Sequence, residues 1–207
     1  MPTNLLPVQR PLPTQMVSPR LLVRPYQAGD GTALFEAVDE DRDHLRRWLP
    51  WVDKHTDRAA SEETARRMHN RWMSREDLTV GIWDHSAKRL LGGSGLHRCC
   101  WEVPSFEIGY WLRRSAEGRG YMTEAAGLLC RLAFSALDAQ RVVIRCDKEN
   151  RRSAAVARRL GFIHEATLRN DARDQNGWLR DTLLFSLTPE DYKKRTADYE
   201  QRTADYE

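Results

Sequence analysis

A chain of 207 residues, 41% hydrophobic and 30% charged, can fill one domain core but is too short for two ordinary domains. A mean hydropathy of −0.68 and the lack of an apolar run near ~18 residues exclude a transmembrane helix, and no secretory signal pattern is expected. The net charge of +3 is small for a nucleic-acid binder. Arginine makes up 28 of the 33 basic residues and its planar fork suits phosphate, but nucleic acid remains the weaker reading.

Residues 1–19 contain five of the nine prolines and read as an extension ahead of a domain at 20–190. "RLLVRPYQ" (20–27) predicts a first strand, and "GDGTALFEAVDEDRDHLRRWL" a helix entered through Asp30. A second helix is expected from Ser61 to Ser74, opened by the capping box "SEET". "LTVGIWD" and "RLLGGSGLH" flank "HSAK" as a hairpin. "FEIGYWL" is a fourth strand, Thr123–Leu137 a helix, "RVVIRCD" a fifth strand, and Ser153–Leu160 a short helix that Gly161 can end. "GFIHEATL" and "WLRDTLLFSL" are strands joined through the turn signal "DQNG". Residues 191–207 form a polar tail in which "RTADYE" occurs twice. The four cysteines Cys99, Cys100, Cys130 and Cys146 form no C-x-x-C pair, so reduced thiols, a cytoplasmic setting and no metal are expected.

The loop "SAEGRGYM" joins a strand to a helix. Unpaired N–H groups at a helix N-terminus, aided by the dipole, make an anion site, and glycine permits close approach of a phosphate. A nucleotide-triphosphate loop would need Lys and then Ser or Thr after Gly120, which is followed instead by Tyr121 and Met122. A dinucleotide fingerprint would need a third glycine at Thr123. Both patterns fail. A bare G-x-G is also compatible with a tight turn.

"GYWLRRSAEGRGYMTEA" resembles the acyl-CoA loop of the GNAT N-acetyltransferases, specifically the RimJ/RimL branch, which acetylates N-termini of ribosomal proteins. "HLRRWLPW" (44–51), "LLGGSGLH" (90–97) and "ENRRSAAVARRLGF" (149–162) agree in the same order. One departure is Ser115, where the family usually carries Gln or Arg; Arg114 stands next to it. The resemblance implies an α/β (α+β) fold. Its mixed, mostly antiparallel sheet has about seven strands, the fourth and fifth splayed, flanked by about four helices. It also implies acetyl-CoA, or another acyl-CoA such as succinyl-CoA, as co-substrate and an amine acceptor. The protein would be a monomer or homodimer. The pantetheine arm would lie along Tyr110, Trp111 and Leu112, with the phosphates on Gly118, Arg119, Gly120, Tyr121 and Met122. Arg113, Arg114 and Arg152 would add charge-assisted donors, and Asn150 would hydrogen-bond the arm.

Amine attack on a thioester requires a neutral amine and a donor for the departing thiolate. Neutralising a lysine at pH 7 costs about 4.6 kcal/mol, an α-amine only about 1–1.4 kcal/mol. By resemblance Ser153 faces the sulfur, though a serine opening a helix also suits an N-cap. No tyrosine stands out as the acid. Glu107 and Asp171 are candidate bases through the resemblance, and His97, ending the third strand, is a candidate base or acceptor contact. Trp48 and Trp51, three apart, could share one helical face as an acceptor wall, with Trp72 on the next helix, or belong to the core. A catalytically silent acyl-CoA-binding domain is the alternative from another class.

Overall fold

The computed structural model describes residues 7–204. Eight strands form one sheet: β1 (Met16–Val17), β2 (Leu21–Pro25), β3 (Leu78–Asp84), β4 (Leu90–Cys100), β5 (Ser105–Leu112), β6 (Arg141–Asp147), β7 (Ile163–Arg173) and β8 (Leu179–Leu187). Their order is β1-β2-β3-β4-β5-β6-β8-β7, and every pair is antiparallel except β5 with β6. The expected seven strands gain β1, a short edge contributed by the proline-rich segment. The splayed pair is therefore the fifth and sixth of this chain.

Six helices accompany the sheet: α1 (Gly31–Asp39), α2 (Arg42–Arg46), α3 (Arg58–Met73), α4 (Tyr121–Arg131), α5 (Arg151–Arg159) and α6 (Pro189–Ala204). The long first helix of the sequence reading is two helices. Asp41, extended rather than helical, caps α2 by accepting from the His44 N–H at 3.2 Å. Asp30 does not cap α1 with its side chain, because both of its oxygens take the Arg24 guanidinium, at 2.7 and 2.9 Å. The capping box at Ser61 is also overturned. Asp57 caps α3 by accepting from Ala60 N at 2.7 Å, while Ser61 is fully buried against His55 Nδ1 at 2.9 Å. Beyond α4 the chain continues as a π-helical turn over Leu132–Ala136. The expected polar tail is helical up to Ala204; Tyr192 stacks on Phe134, and residues 205–207 of the repeat lie outside the described residues.

Strand alternation separates the two faces at the centre of the sheet. Phe106 and Ile108 of β5 and Val142, Ile144 and Cys146 of β6 bury against α4 and α5, in one core with Leu129, Ala133, Ala157 and Phe162. Burying side chains of this size contributes roughly 1.5–3 kcal/mol each, which fixes the register, since a one-residue slip would turn them all outward. A second apolar cluster, around Tyr26, Leu34, Val38, Leu45 and Val52, belongs to α1, α2 and the 3₁₀ turn Pro50–Lys54. No helix among the described residues is long and apolar enough to cross a membrane.

Two outcomes test this packing. A Cβ on Gly31 would stand 2.3 Å from the Glu62 Cα, backbone that cannot yield. Gly31→Ala should lower stability in urea denaturation by about 1–3 kcal/mol as α1 and α3 are forced apart. Burial first, and then the charges of Arg42 and Arg67, push the His55 imidazole down to about 4. The folded pKa lies below the unfolded value, so the unfolded chain binds the extra proton. Stability should therefore fall between pH 6.5 and pH 4, and His55→Gln should remove part of that slope.

Candidate active site

Strands β5 and β6 pair over three residues only, Ser105–Glu107 with Arg141–Val143, and then part. Beyond that point Ile108–Leu112 on one side and Ile144–Asp147 on the other flank a gap. A cavity of about 1530 Å³ opens there, lined among others by Tyr110, Leu112, Gly118, Gly120, Asn150 and Ser153. It exceeds the ~300–1,000 Å³ of ordinary ligand pockets, leaving room for a long ligand.

The loop after β5 forms one wall. Gly118 and Gly120 have φ of +74° and +79°, left-handed conformations that L side chains rarely adopt. Nothing lies within 4 Å of a Cβ on Gly118, and only the Arg20 guanidinium, at 3.5 Å, approaches one on Gly120. The turn itself therefore demands glycine at both positions. Gly120 directly precedes α4, whose first N–H groups have no carbonyl within the helix to bond. A tight turn and an anion site are here the same object, and the donor set fits a pyrophosphate.

The flanking cations differ from the sequence expectation. Arg113 is mostly buried: its Nε donates to Glu40 at 2.6 Å and its Nη1 to the Leu90 carbonyl at 3.1 Å, so it braces the loop and does not face the cavity. Glu40 also accepts from the Ser115 N–H at 2.8 Å. Burial raises its pKa, but the Ser115 hydrogen bonds and Arg113 outweigh this and hold the carboxyl below its usual range. The Ser115 hydroxyl accepts from Arg89 at 2.6 Å, so a guanidinium stands where the sequence had left only serine. Arg114 turns to His44, 3.2 Å away. Glu117 accepts from His44 Nε2 at 2.6 Å and pairs with Arg152. Arg119 is exposed within the loop and has no ion-pair partner among the described residues. Its carbonyl accepts from Arg20 at 2.9 Å.

The opposite wall is α5. Its N-cap is Asn150, not Ser153: the Asn150 carbonyl oxygen accepts from the Ser153 N–H at 3.0 Å. That leaves only the Asn150 amide nitrogen to donate elsewhere, and frees the Ser153 hydroxyl from capping. The hydroxyl lies 3.0 Å from the Tyr110 hydroxyl, which is also 3.0 Å from the Ser153 carbonyl. Burial raises the Tyr110 phenol and keeps it protonated as a donor. The sequence reading placed Tyr110 along the pantetheine arm but did not single out its hydroxyl as the partner of Ser153. Alternation in β5 was the available signal, since it places Tyr110 on the α5 face, opposite Gly109 and Trp111. Cys146 lies beside Ser153, its thiol raised chiefly by burial.

The other face of the gap carries the remaining candidates. Glu107 is 3.3 Å from Arg98 Nε. Asp171 accepts from Arg145 at 2.7 Å; a hydrogen bond from Thr182 and then Arg145 lower its pKa, which makes it a poor base. Asp147 is paired with Arg180 at 3.0 Å. His97 Nδ1 lies 2.9 Å from Asp77. Trp48 and Trp51 do not share a face. Pro50 starts a new turn between them, so Trp48 lines the cavity while Trp51 packs edge-on to Trp111 at 5.7 Å. Trp72 is a core residue at 4% exposure.

Residues 20–163 match the family model described as the acetyltransferase (GNAT) domain. The chain is 28% identical over 182 residues to a putative ribosomal N-acetyltransferase, YdaF, of Bacillus subtilis, covering 87% of this chain and 97% of that one. It is 40% identical over 73 residues to the ribosomal-protein-serine acetyltransferase of Escherichia coli, 33% of this chain and 41% of that one. Among solved structures it resembles RimL, a ribosomal L7/L12 alpha-N-protein acetyltransferase in complex with coenzyme A. The TM-score is 0.77 at 24% identity, over 84% of this chain and 96% of that one, and at that identity the likeness concerns the fold.

Valine cannot adopt the left-handed backbone of Gly120. In calorimetric titration, Gly120→Val should weaken acetyl-CoA binding at least tenfold, about 1.4 kcal/mol. Unchanged affinity would show that the loop does not hold the phosphates.

Proposed function

The chain belongs to the acetyltransferase (GNAT) domain family and is an acyl-CoA-dependent N-acetyltransferase, and on that premise we propose that its acceptor is the α-amine of a protein N-terminus. One observation carries this reading. On the acceptor face of the parted strands Glu107, Asp147 and Asp171 are each matched to an arginine: Arg98, Arg180 and Arg145. A polyamine or aminoglycoside brings several cations and is best met by carboxylates with charge to spare. A face whose carboxylates are already compensated suits an acceptor with a single amine that is easily neutralised, and an α-amine needs the least help. The names of the ribosomal acetyltransferase relatives support the same class. The four free thiols support a cytoplasmic setting.

In this reading the N–H groups from Gly118 to Met122 hold the pyrophosphate, with Arg119 and Arg152 adding charge. The backbone of Gly109–Leu112 and the Asn150 amide align the pantetheine arm in the gap. Acetyl-CoA supplies the thioester whose carbonyl carbon the amine attacks. Ser153 donates its hydroxyl hydrogen bond to the sulfur as it leaves. Tyr110 orients that hydroxyl and stands behind it as a proton donor, so the negative charge never develops unpartnered.

Peptides with free N-termini, small polyamines and aminoglycosides should be compared as acceptors by following thiol release, with acetyl-CoA and succinyl-CoA as donors. Turnover confined to peptides is expected; turnover on polyamines alone would overturn the acceptor assignment. Ser153→Ala and Tyr110→Phe should each reduce kcat about 10- to 100-fold with the Kd for acetyl-CoA nearly unchanged. An unchanged kcat in both would remove the pair from the leaving-group side.

A further inference from the structure

On the acceptor face one imidazole occupies a seat made by missing side chains. Gly95 of β4 pairs with Gly109 of β5, and His97 pairs with Glu107, so all four residues share this face. A Cβ on Gly95 would lie 2.8 Å from His97 Cε1, and one on Gly109 would lie 3.1 Å from Cδ2 and 3.3 Å from Nε2. The ring therefore lies across both glycines, with Nε2 over Gly109 of β5. Any larger residue at either position would push it away.

The other ring nitrogen is held. Nδ1 is 2.9 Å from Asp77 Oδ1, and Asp77 also accepts from the Thr79 hydroxyl. Burial raises the Asp77 carboxyl, but His97, Thr79 and Arg71 together keep it below its usual range and therefore charged. A charged carboxylate at Nδ1 keeps the proton there, which leaves the lone pair on Nε2. The charged and titratable groups around the ring are Asp77, just ahead of β3, Arg71 of α3 at 3.7 Å from Asp77, Arg98 and Cys99 of β4, and Glu107 of β5.

Arg98 engages the Glu107 carboxylate. It has φ of +50°, the left-handed region, at a register irregularity between His97 and Cys100. In a regular strand Arg98 would point away from its neighbour's face, yet its guanidinium reaches Glu107 at 3.3 Å. The Glu107 carboxylate is occupied by a guanidinium, while among the described residues no hydrogen bond engages His97 Nε2.

We infer that His97, positioned by Asp77, is the general base of acetyl transfer. The step balances as follows. The amine nitrogen forms its bond to the thioester carbonyl carbon and gives up one proton to His97 Nε2. The carbon–sulfur bond breaks, its electron pair leaves with the sulfur, and that sulfur becomes the thiol with a proton passed through the Ser153–Tyr110 pair, which solvent replenishes. The imidazolium is stabilised by Asp77 until it releases its proton to solvent. His97 is the catalytic residue and Asp77 a positioning residue. The inference rests on the acetyl transfer read above.

The experiment uses the full chain, acetyl-CoA and a set of hexapeptides with free N-termini. His97→Gln should lower kcat/KM at pH 7 by 100-fold or more, with acetyl-CoA affinity unchanged, and recover in part toward pH 9.5, where the amine is neutral unaided. Asp77→Asn should cost about tenfold or more, because a side-chain amide can donate to Nδ1 and move the ring proton to Nε2. Activity of His97→Gln within twofold of wild type, or a larger loss in Glu107→Gln than in His97→Gln, would overturn the inference while leaving the acetyltransferase reading intact. Nitrogen-15 NMR of the imidazoles needs no acceptor. The expected spectrum has His97 protonated at Nδ1 in the wild type and at Nε2 in Asp77→Asn. A wild-type proton on Nε2 would overturn the dyad even if no peptide is a substrate, a result that would count against the acceptor class alone.

Discussion

Three residue pairs hold β5 to β6, and the rest of the site depends on their stopping there. A parallel ladder continued to Leu112 would close the sheet and leave no path for a ligand arm. The parting is tolerable because each strand keeps a full partner on its other side, β4 for β5 and β8 for β6, so only one edge of each loses its ladder. The free edges face the cavity, where a pantetheine amide or water can take the hydrogen bonds that the neighbouring strand gives up. Across the gap the Tyr110–Ser153 contact ties β5 to α5, so the opening is braced as well as open.

Electrostatics hold the loop beside this gap. Individual exposed ion pairs contribute little, with a median near 0–1 kcal/mol, so their number is no measure of stability. Their arrangement is more informative. Glu40 joins the end of α1 to Arg113 and to the Ser115 N–H at the base of the loop. Glu117 gathers His44, Arg114 and Arg152 at its rim. Both carboxylates sit among guanidinium groups close to the N-terminus of α4, a place where the fold stabilises negative charge before any phosphate arrives. The same contacts tie the acceptor-side helices α1 and α2 to the donor loop, so the two substrate sites share one framework.

The two faces of the gap divide the chemistry. In the proposed mechanism Tyr110 and Ser153 on the α5 face serve the leaving sulfur, and His97 with Asp77 on the other face serves the amine. Strand alternation alone produces this division, because Gly109 and Tyr110 are adjacent residues pointing opposite ways. A single insertion in β5 would exchange the donor and the seat of the base.

The sequence by itself determined the class of fold, the element order, the glycine loop ahead of α4 and the helix that carries Ser153. These are local patterns: periodicity, two glycines before a helix, an Asn-x-x-Ser at a helix start. It could not settle which residue caps α5, because both Asn150 and Ser153 are good caps and only the observed hydrogen bond distinguishes them. Nor could it tell that Arg113 is spent on Glu40, that Arg89 stands at Ser115, or that Trp48 and Trp51 part company at Pro50. Asp77 and His97 are twenty residues apart and meet only because β3 and β4 pair in one register. Ion pairs, ring seats and capping choices depend on distances between residues remote in the chain, and those distances exist only after the strands have paired and the core has closed.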